Sequence, residues 1–398
     1  MNMQQKQSVL AIHVGIALGY FGNYVYMPHL ITYIGEHYSG TLAGFIIFLT
    51  FLGRLFASIV AGGISERYGR KQVLVITVLI EAFALLAYGF ATNLFLLSGL
   101  ATLVGVASGI SFPALKATLS ELPESLRPKA FSQFVFAQKV GTIAGAIVGM
   151  FFTEIAMTKL FTVVCIVFLG YALSVGKFLH IPQEQKIQNR KIALVHWQHP
   201  RDWEIWNVLG LFVTYTFFWF LYSQFLVGMP LHIKWLASSF PVTMPFWITG
   251  ITMILLQRFV YKRMSSYFQE VHLMMLGMAS FTASFLLLGL GKTIMWIILA
   301  AILFVIAEML FVPAFDVWLS KGLAGRSADR AMGTQHFFRS AGNMFGTCLA
   351  GITFDVAKRF NMPGINWLFF ATIACGCMIF IYKKMNETNA SVTLEVKN

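Results

Sequence analysis

The chain has 398 residues, of which 58% are hydrophobic and only 11% are charged, and its mean hydropathy is +0.72. Soluble domains do not have this composition, which excludes a soluble enzyme or a soluble binding protein. The formal net charge of +13 comes mainly from Lys and Arg in alternate loops, so it does not require a nucleic-acid partner.

Apolar stretches long enough to cross a bilayer recur along nearly the whole chain, separated by short polar breaks. A spanning helix needs about 20 consecutive apolar residues, and the sequence contains twelve such stretches. Because lipid gives backbone N–H and C=O groups no hydrogen-bond partners, each stretch must be helical. The sequence therefore predicts an all-α membrane protein with twelve transmembrane helices, called spans one to twelve.

The distribution of Lys and Arg predicts the orientation of the chain. Positive residues are retained on the cytoplasmic side, so we expect the basic loops and both termini there, in a multi-pass protein of the plasma membrane. The opposite loops contain only Lys159, Lys234, Lys292, Lys358 and Arg359. The residues predicted to be cytoplasmic include Arg67, Arg70, Lys71, Arg127, Lys129, Lys177, Lys186, Arg190, Lys191, Arg201, Arg258, Lys262, Arg263, Lys321, Arg326, Arg330, Lys383, Lys384 and Lys397.

Span one, roughly residues 8–34, is expected to be a retained helix, because no small-residue cleavage site follows a short apolar stretch. It contains Asn23 and Tyr24, which are candidates for the wall of a substrate cavity. The four cysteines lie inside apolar spans and the histidines are scattered singly, so we predict no disulfide, no metal site and no cofactor.

A polar segment between spans two and three carries the most specific motif. It runs from Gly62 to Lys71 and reads G-x-x-x-E-R-x-G-R-K, with Glu66 as its acid. This pattern resembles the signature loop of the major facilitator superfamily, G-x-L-A-D-R-x-G-R-K/R, with Glu in place of Asp. The resemblance implies a transporter made of two six-helix bundles that works by alternating access.

By the same resemblance, Glu66 is expected to dock at the amino end of span eleven, near residues 327–331, when the transporter is closed to the cytoplasm. A carboxylate at that place gains from the helix dipole and from free N–H groups. The alternative is that the basic residues of the loop only set the topology. The predicted lock consists of Gly62, Glu66, Arg67, Gly69, Arg70 and Lys71.

Ionisable side chains inside spans are costly unless they are paired or hydrated, so each is a functional candidate. Arg54 in span two, Glu81 in span three and Lys139 in span five share one depth, roughly 15 Å from the cytoplasmic helix ends at 1.5 Å per residue. Arg54 and Glu81 are the expected pair, because helices joined by a short loop are neighbours. The pair can be structural or coupled to protons, and Lys139 then faces the central cavity or approaches Glu81.

Small residues recur at every fourth position in spans five and eleven, which predicts close helix packing. The stripe in span five also resembles the antiporter signature of the superfamily, G-x-x-x-G-P-x-x-G-G. However, Ala146 and Met150 replace its Pro and last Gly, and Ala101 stands where that branch carries an Arg in span four. These departures weaken an inference of export. The predicted packing residues are Gly141, Gly145, Gly149, Gly342 and Gly346.

The two halves of the chain resemble each other. The sequence around Pro113, at the end of span four, recurs around Pro313, at the end of span ten, 200 positions later. Parallel repeats of this kind are typical of two-bundle transporters. The predicted domains are an N-terminal bundle (1–179), a cytoplasmic linker (180–204), a C-terminal bundle (205–385) and a cytoplasmic tail (386–398).

In the second half, Glu308 lies near mid-membrane and is the preferred proton carrier, because an apolar bundle favours the neutral form of a carboxyl group. The alternative is that Glu308 only neutralises Arg339. The candidates for proton coupling are Glu308, Glu81, Asp316 and Arg54.

Lys139 and Arg339 are nearly repeat-equivalent, so they are expected to present two cations to one cavity. Such a cavity suits an anionic or zwitterionic solute better than a lipophilic cation. The aromatic residues of span seven complete the wall or belong to an interface belt. The predicted cavity residues are Asn23, Tyr24, Gln138, Lys139, Tyr215, Trp219, Tyr222, His336, Arg339 and Asn343.

The predicted function is proton-coupled export of a small amphiphilic, anionic or zwitterionic molecule, such as a siderophore-like metallophore or a drug. An uptake symporter of the same fold and a flippase for lipid-linked molecules remain alternatives. A pump driven by ATP is disfavoured. The segment Gly289 to Thr293 resembles the end of a phosphate-binding loop, G-x-x-x-x-G-K, but Leu286 occupies the position of the first Gly. The expected partners are a small-molecule substrate and the bilayer, without nucleic acid, and the expected state is a monomer.

Overall fold

A computed structural model of the chain describes residues 3–120, 127–152, 156–179, 202–237, 239–322 and 328–395. Within these residues it contains twelve α-helices, one 3-10 turn at Met150–Phe152 and no strand, which confirms the predicted fold class. In chain order the helices are α1 (Met3–His37), α2 (Gly40–Tyr68), α3 (Arg70–Tyr88), α4 (Leu94–Ser120), α5 (Arg127–Gly149), α6 (Met157–Phe178), α7 (Asp202–Leu236), α8 (Met244–Ser265), α9 (Glu270–Leu290), α10 (Ile294–Gly322), α11 (Ala328–Arg359) and α12 (Ile365–Glu395).

Ten of these helices are long and apolar enough to cross a membrane, when the described residues are considered. The other two are α8 and α11, whose sequences are more polar. The last turns of α8 contain Arg258, Lys262 and Arg263, and α11 contains His336 and Arg339. The chain is a multi-pass membrane protein.

Contacts divide the chain into two compact units. Unit 1 comprises Met1–Leu30 and Phe45–His199, and unit 2 comprises Ile31–Gly44 and Pro200–Asn398. The end of α1 and the first turn of α2 therefore group with the second half of the chain, whereas the sequence placed all of 1–179 in one bundle. Of the predicted linker, 180–201 lies outside the described residues. Helix α12 continues through most of the predicted tail.

Unit 1 is held together by glycines that bring helix backbones close. A Cβ at Gly105 of α4 would lie 2.1 Å from the Thr50 carbonyl oxygen of α2. A Cβ at Gly141 or Gly145 of α5 would lie 2.2 Å from a backbone oxygen of α1. Small residues at these positions permit the close approach on which helix association in lipid depends.

Unit 2 has an aromatic core between α7, α9 and α10. Phe218 stacks on Phe311 at 4.2 Å and on Phe281 at 4.9 Å between ring centroids. Phe304 stacks on Phe225 at 4.2 Å. These rings fix the inner side of α7 and so position its polar residues.

Helix boundaries repeat with the period seen in the sequence. Helix α9 begins at Glu270 and α3 at Arg70, and α10 begins at Ile294 and α4 at Leu94, so each offset is 200 positions. Pro113 and Pro313 both lie inside their helices. The two units are thus built from corresponding helices in the same order.

Candidate functional site

The predicted lock lies at the junction of α2 and α3. Gly69 precedes the first residue of α3 with φ 83°, a left-handed conformation that favours glycine. The exposed Arg67 guanidinium lies 5.4 Å from the centre of the Tyr68 ring, and Gly62 is exposed with open space around it. The Glu66 side chain and the predicted docking residues near 327–331 lie outside the part of the chain whose side chains are described, so the docking contact stays a prediction.

Unit 1 contains a buried charge cluster. Glu81 of α3 is only 3% exposed, and it interacts electrostatically with Arg54 of α2. Arg54 Nε donates a hydrogen bond of 3.2 Å to Ser108 Oγ of α4. Tyr26 of α1 and Tyr171 of α6 are also within electrostatic reach of the Glu81 carboxyl group. The structure therefore places Arg54 and Glu81 within electrostatic reach of each other, without an ion pair between them among the described residues, and side chains of α1, α4 and α6 lie near them.

The other predicted cavity residues of unit 1 lie on α1 and α5. Asn23 Nδ2 donates to the Gly19 carbonyl of its own helix at 3.0 Å, and Tyr24 stacks on Tyr20 at 6.4 Å. Gln138 and Lys139 are half-buried on α5. The Asn23 amide thus forms a hydrogen bond within α1.

In unit 2, Arg339 and the aromatic residues of α7 form a contact that the sequence did not predict. The Arg339 guanidinium carbon lies 3.7 Å from the centre of the Trp219 ring, a close cation–π contact. Trp219 and Tyr215 are each 2% exposed, so both are interior residues rather than members of an interface belt. Tyr222 is half-buried and its ring lies 4.8 Å from that of Trp219.

Arg339 has no carboxylate within ion-pair distance among the described residues. Among these residues no ion pair joins Glu308 to Arg339, and the role of Glu308 stays a prediction. Glu308 is half-buried on α10, and it has a partner.

Polar residues near Arg339 connect α7, α10 and α11. Gln335 donates to the exposed Asp316 carboxylate, and both lie within electrostatic or hydrogen-bond reach of Tyr215. Gln335 was not singled out in the sequence, because a single Gln near a helix end has no distinctive pattern. The side chain of His336 lies outside the described residues.

Helices α7 and α11 cross at the predicted glycines. A Cβ at Gly342 would lie 2.3 Å from the Thr216 carbonyl oxygen, and one at Gly346 would lie 2.0 Å from Ser223 Oγ. Gln224 Nε2 donates to the Gly346 carbonyl at 2.9 Å. Asn343 lies between the two glycines, is 5% exposed, and its Oδ1 has no hydrogen-bond partner.

A carboxylate missed in the sequence caps helix α2. Asp355 of α11 accepts hydrogen bonds from the backbone N–H of Gly40 at 2.8 Å and of Thr41 at 2.7 Å, and from Thr41 Oγ1 at 2.6 Å. The first turn of α2 has free N–H groups that favour an acid. The partners are separated by more than 300 positions, so no local sequence signal could have identified the contact.

Two histidines in unit 1 form hydrogen bonds between helices α1 and α5. His13 Nε2 bonds the Ala130 carbonyl at 3.0 Å, and His29 Nε2 donates to the Gly149 carbonyl at 2.8 Å. No group of three or more His, Cys, Asp or Glu side chains in the described ranges could hold a metal ion.

Comparison with known proteins gives a consistent result. The family model described as Major Facilitator Superfamily matches residues 12–347. The chain is 24% identical to Multidrug resistance protein 1 of Bacillus subtilis (strain 168), over 93% of this chain and 94% of that protein. It is 22% identical to the class H tetracycline resistance protein of Pasteurella multocida, over 98% and 99% of the two chains. The crystal structure of the POT family transporter PepTSo superposes with a TM-score of 0.75 at 16% identity, over 96% of this chain and 98% of that one.

Proposed function

Because this chain belongs to the Major Facilitator Superfamily, whose members are membrane transporters and not enzymes, we propose that it is a proton-coupled exporter of a small amphiphilic, anionic or zwitterionic molecule. Relatives named as multidrug and tetracycline resistance proteins support export as the direction of transport. A metallophore of the siderophore type and a drug both fall within this class of substrate. In this proposal the protein lies in the plasma membrane with both termini in the cytoplasm.

Proton coupling is carried by one observation, the burial of Glu81 beside Arg54. Two opposite charges that lie within electrostatic reach and away from water stabilise each other only while both keep their charge. Protonation of Glu81 leaves the Arg54 charge uncompensated, and this favours any conformation in which Arg54 gains water or another partner. A proton can thereby shift a two-state equilibrium, since only a differential interaction can do so.

Glu308 remains the second candidate for the proton carrier. It is half-buried and partnered, whereas Glu81 is almost completely enclosed and has a counter-charge on the adjacent helix. Burial with a single opposing cation is the stronger reason for a group to change its protonation state with conformation, and this supports Glu81.

The experiment measures transport into inside-out vesicles, with and without an imposed pH gradient in which the vesicle lumen is acidic. Cationic, neutral and anionic probes are compared for the parent, Glu81→Gln, Glu81→Asp and Glu308→Gln, with the exposed Glu36→Gln as the matched control. We expect Glu81→Gln to lose gradient-driven accumulation and to retain downhill exchange, while Glu81→Asp, which keeps the carboxyl group, retains part of the coupling.

Each outcome assigns the carrier differently. Loss of coupling in Glu308→Gln alone transfers the role to Glu308. A parent protein whose transport ignores the pH gradient overturns proton coupling. Accumulation only in right-side-out vesicles identifies an uptake symporter instead of an exporter.

A further inference from the structure

Resting on the proposed transport function, we propose that α7 and α11 of unit 2 form a binding subsite for a carboxylate that also carries a hydrogen-bond donor, such as a hydroxy- or aminocarboxylate. Its three residues are Trp219, Arg339 and Asn343, named the α7–α11 subsite. Arg339 binds the carboxylate, Asn343 accepts the donor, and Trp219 orients Arg339.

Arg339 is arranged to bind an anion. Its guanidinium carbon lies 3.7 Å from the centre of the Trp219 ring, a separation that fits a guanidinium stacked on the ring by its face. The N–H donors lie in the guanidinium plane, so stacking leaves their directions available for the two oxygens of a carboxylate. In the described part of the chain no carboxylate already holds them.

Trp219 in turn is fixed by its own neighbours. Its ring lies 5.5 Å from that of Phe218 and 6.1 Å from that of Tyr215, and it is 2% exposed. A guanidinium resting on an immobile ring loses fewer rotamers when it binds a ligand, so the site is preorganised.

Asn343 supplies the second recognition element. It follows Arg339 by four positions in α11, which places both side chains on one face, about 6 Å apart along the axis. Its Oδ1 is buried without a hydrogen-bond partner, and buried acceptors are nearly always paired.

Among the described residues no donor bonds Asn343 Oδ1, and Trp219 Nε1, the indole donor of the same subsite, is likewise buried without a hydrogen-bond partner. Gln224, the amide on the facing helix, uses Nε2 for the carbonyls of Phe220 and Gly346, each at 2.9 Å. An N–H or O–H group of a ligand would pair the orphaned oxygen. The combination of an unpaired cation with an unpaired acceptor selects a ligand that carries both a carboxylate and a donor, and it disfavours a lipophilic cation.

The test is equilibrium binding of radiolabelled 4-hydroxybenzoate to the full-length protein in lipid nanodiscs. This probe carries both groups, held apart by a rigid ring. Competitors are benzoate, which lacks the donor, methyl 4-hydroxybenzoate, which lacks the charge, and tetraphenylphosphonium, a lipophilic cation. We expect the parent protein to bind 4-hydroxybenzoate about tenfold more tightly than benzoate, and to bind the other two competitors more weakly still.

Variants separate the two recognition elements. Arg339→Gln should weaken 4-hydroxybenzoate about 10- to 100-fold and leave the methyl ester unchanged. Asn343→Leu should bind 4-hydroxybenzoate no more tightly than benzoate. The ratio of these two affinities does not depend on the amount of folded protein. The control is Arg263→Gln, which removes an exposed cation that also lies over an aromatic ring, Tyr267, at 5.3 Å.

Three results overturn the subsite: equal affinity of the parent for the two benzoates, no measurable binding of either, or tighter binding of tetraphenylphosphonium. The outcome is separable from that of the proposed function. If the protein accumulates a cationic probe in response to a pH gradient but binds neither benzoate, the proposed function is supported and the subsite is contradicted. If the protein binds 4-hydroxybenzoate as predicted but its transport does not respond to the pH gradient, the subsite is supported and proton coupling is contradicted.

Discussion

Single charged residues inside the helices are stabilised in two different ways. Glu81 is buried and faces an opposite charge, Arg54, which also bonds Ser108. Arg339 has no described carboxylate within ion-pair distance and lies on the Trp219 ring instead. A buried acid with an opposite charge nearby is suited to respond to a proton, whereas a cation without a carboxylate at ion-pair distance is suited to bind an anion. The two residues therefore support the two halves of the proposed function separately.

Removing Arg54 should destabilise the protein through Glu81. Arg54→Met leaves a buried carboxylate without its counter-charge. Breaking a buried ion pair costs about 3–5 kcal/mol, and we expect a smaller loss here, because Arg54 is half-buried and acts on Glu81 without an ion pair among the described residues. The measurement is the apparent melting temperature of the purified protein in detergent.

The matched variants make this result specific. Arg67→Met removes an exposed cation of the neighbouring loop and should leave the melting temperature nearly unchanged. The double change Arg54→Met with Glu81→Leu should recover most of the loss, since no buried charge remains. A double variant as unstable as Arg54→Met would show that Arg54 acts through packing alone.

The sequence predicted contacts between residues of helices that follow each other in the chain, but not contacts between distant helices. The Arg54–Glu81 pair followed from two charges on helices joined by a short loop, and the structure brings these residues together. The stacking of Arg339 on Trp219 could not be predicted, because it depends on the rotation of α7 against α11. Sequence spacing gives the face of one helix but not which residues of a distant helix it meets.

Among the helices, close crossings are set by glycine, and one crossing carries a cap. Asp355 of α11 occupies the amino end of α2, where three groups donate to its carboxylate. At the same crossing a Cβ on Gly351 would lie 2.0 Å from the Gly40 carbonyl oxygen. The cap can form because these glycines let the helices approach. The stripe of small residues in α11 was evident in the sequence, but the helix it packs against was not.

Adding one methyl group to the α7–α11 crossing should be destabilising. In Gly346→Ala the new Cβ would lie 2.0 Å from Ser223 Oγ and 2.4 Å from the Phe220 carbonyl oxygen. Overpacking of this kind costs about 1–3 kcal/mol. Since the backbone cannot yield as a flexible side chain can, we expect a lower melting temperature and less folded protein after extraction.

Gly376→Ala is the control within the same unit. Gly376 lies inside α12 with no atom within 4 Å of an added Cβ, so alanine should be neutral or stabilise the helix by up to about 1 kcal/mol. Equal stability of both variants would contradict the role of Gly346 in helix packing.

For the whole molecule, the internal repeat predicted more than any single motif. The offset of 200 positions between the prolines also holds for the starts of α9 and α10 relative to α3 and α4. The grouping of Ile31–Gly44 with unit 2 was not predictable, because it arises from contacts across more than 300 positions, such as those of Asp355. Chain order predicts the series of helices, whereas only packing determines which turns belong to which unit.

The predicted orientation can be tested with two exposed positions, one in each class of loop. Ser266 follows the basic end of α8, which contains Arg258, Lys262 and Arg263, and it is predicted to be cytoplasmic; Lys292 lies between α9 and α10 and is predicted to face outside. In a background without the four native cysteines, Lys292→Cys should react with a membrane-impermeant maleimide in intact cells. Ser266→Cys should react only after permeabilisation, because positive residues next to spans are retained in the cytoplasm. The reverse pattern would place both termini outside, and the vesicle experiments would then have to be interpreted with the opposite direction of transport.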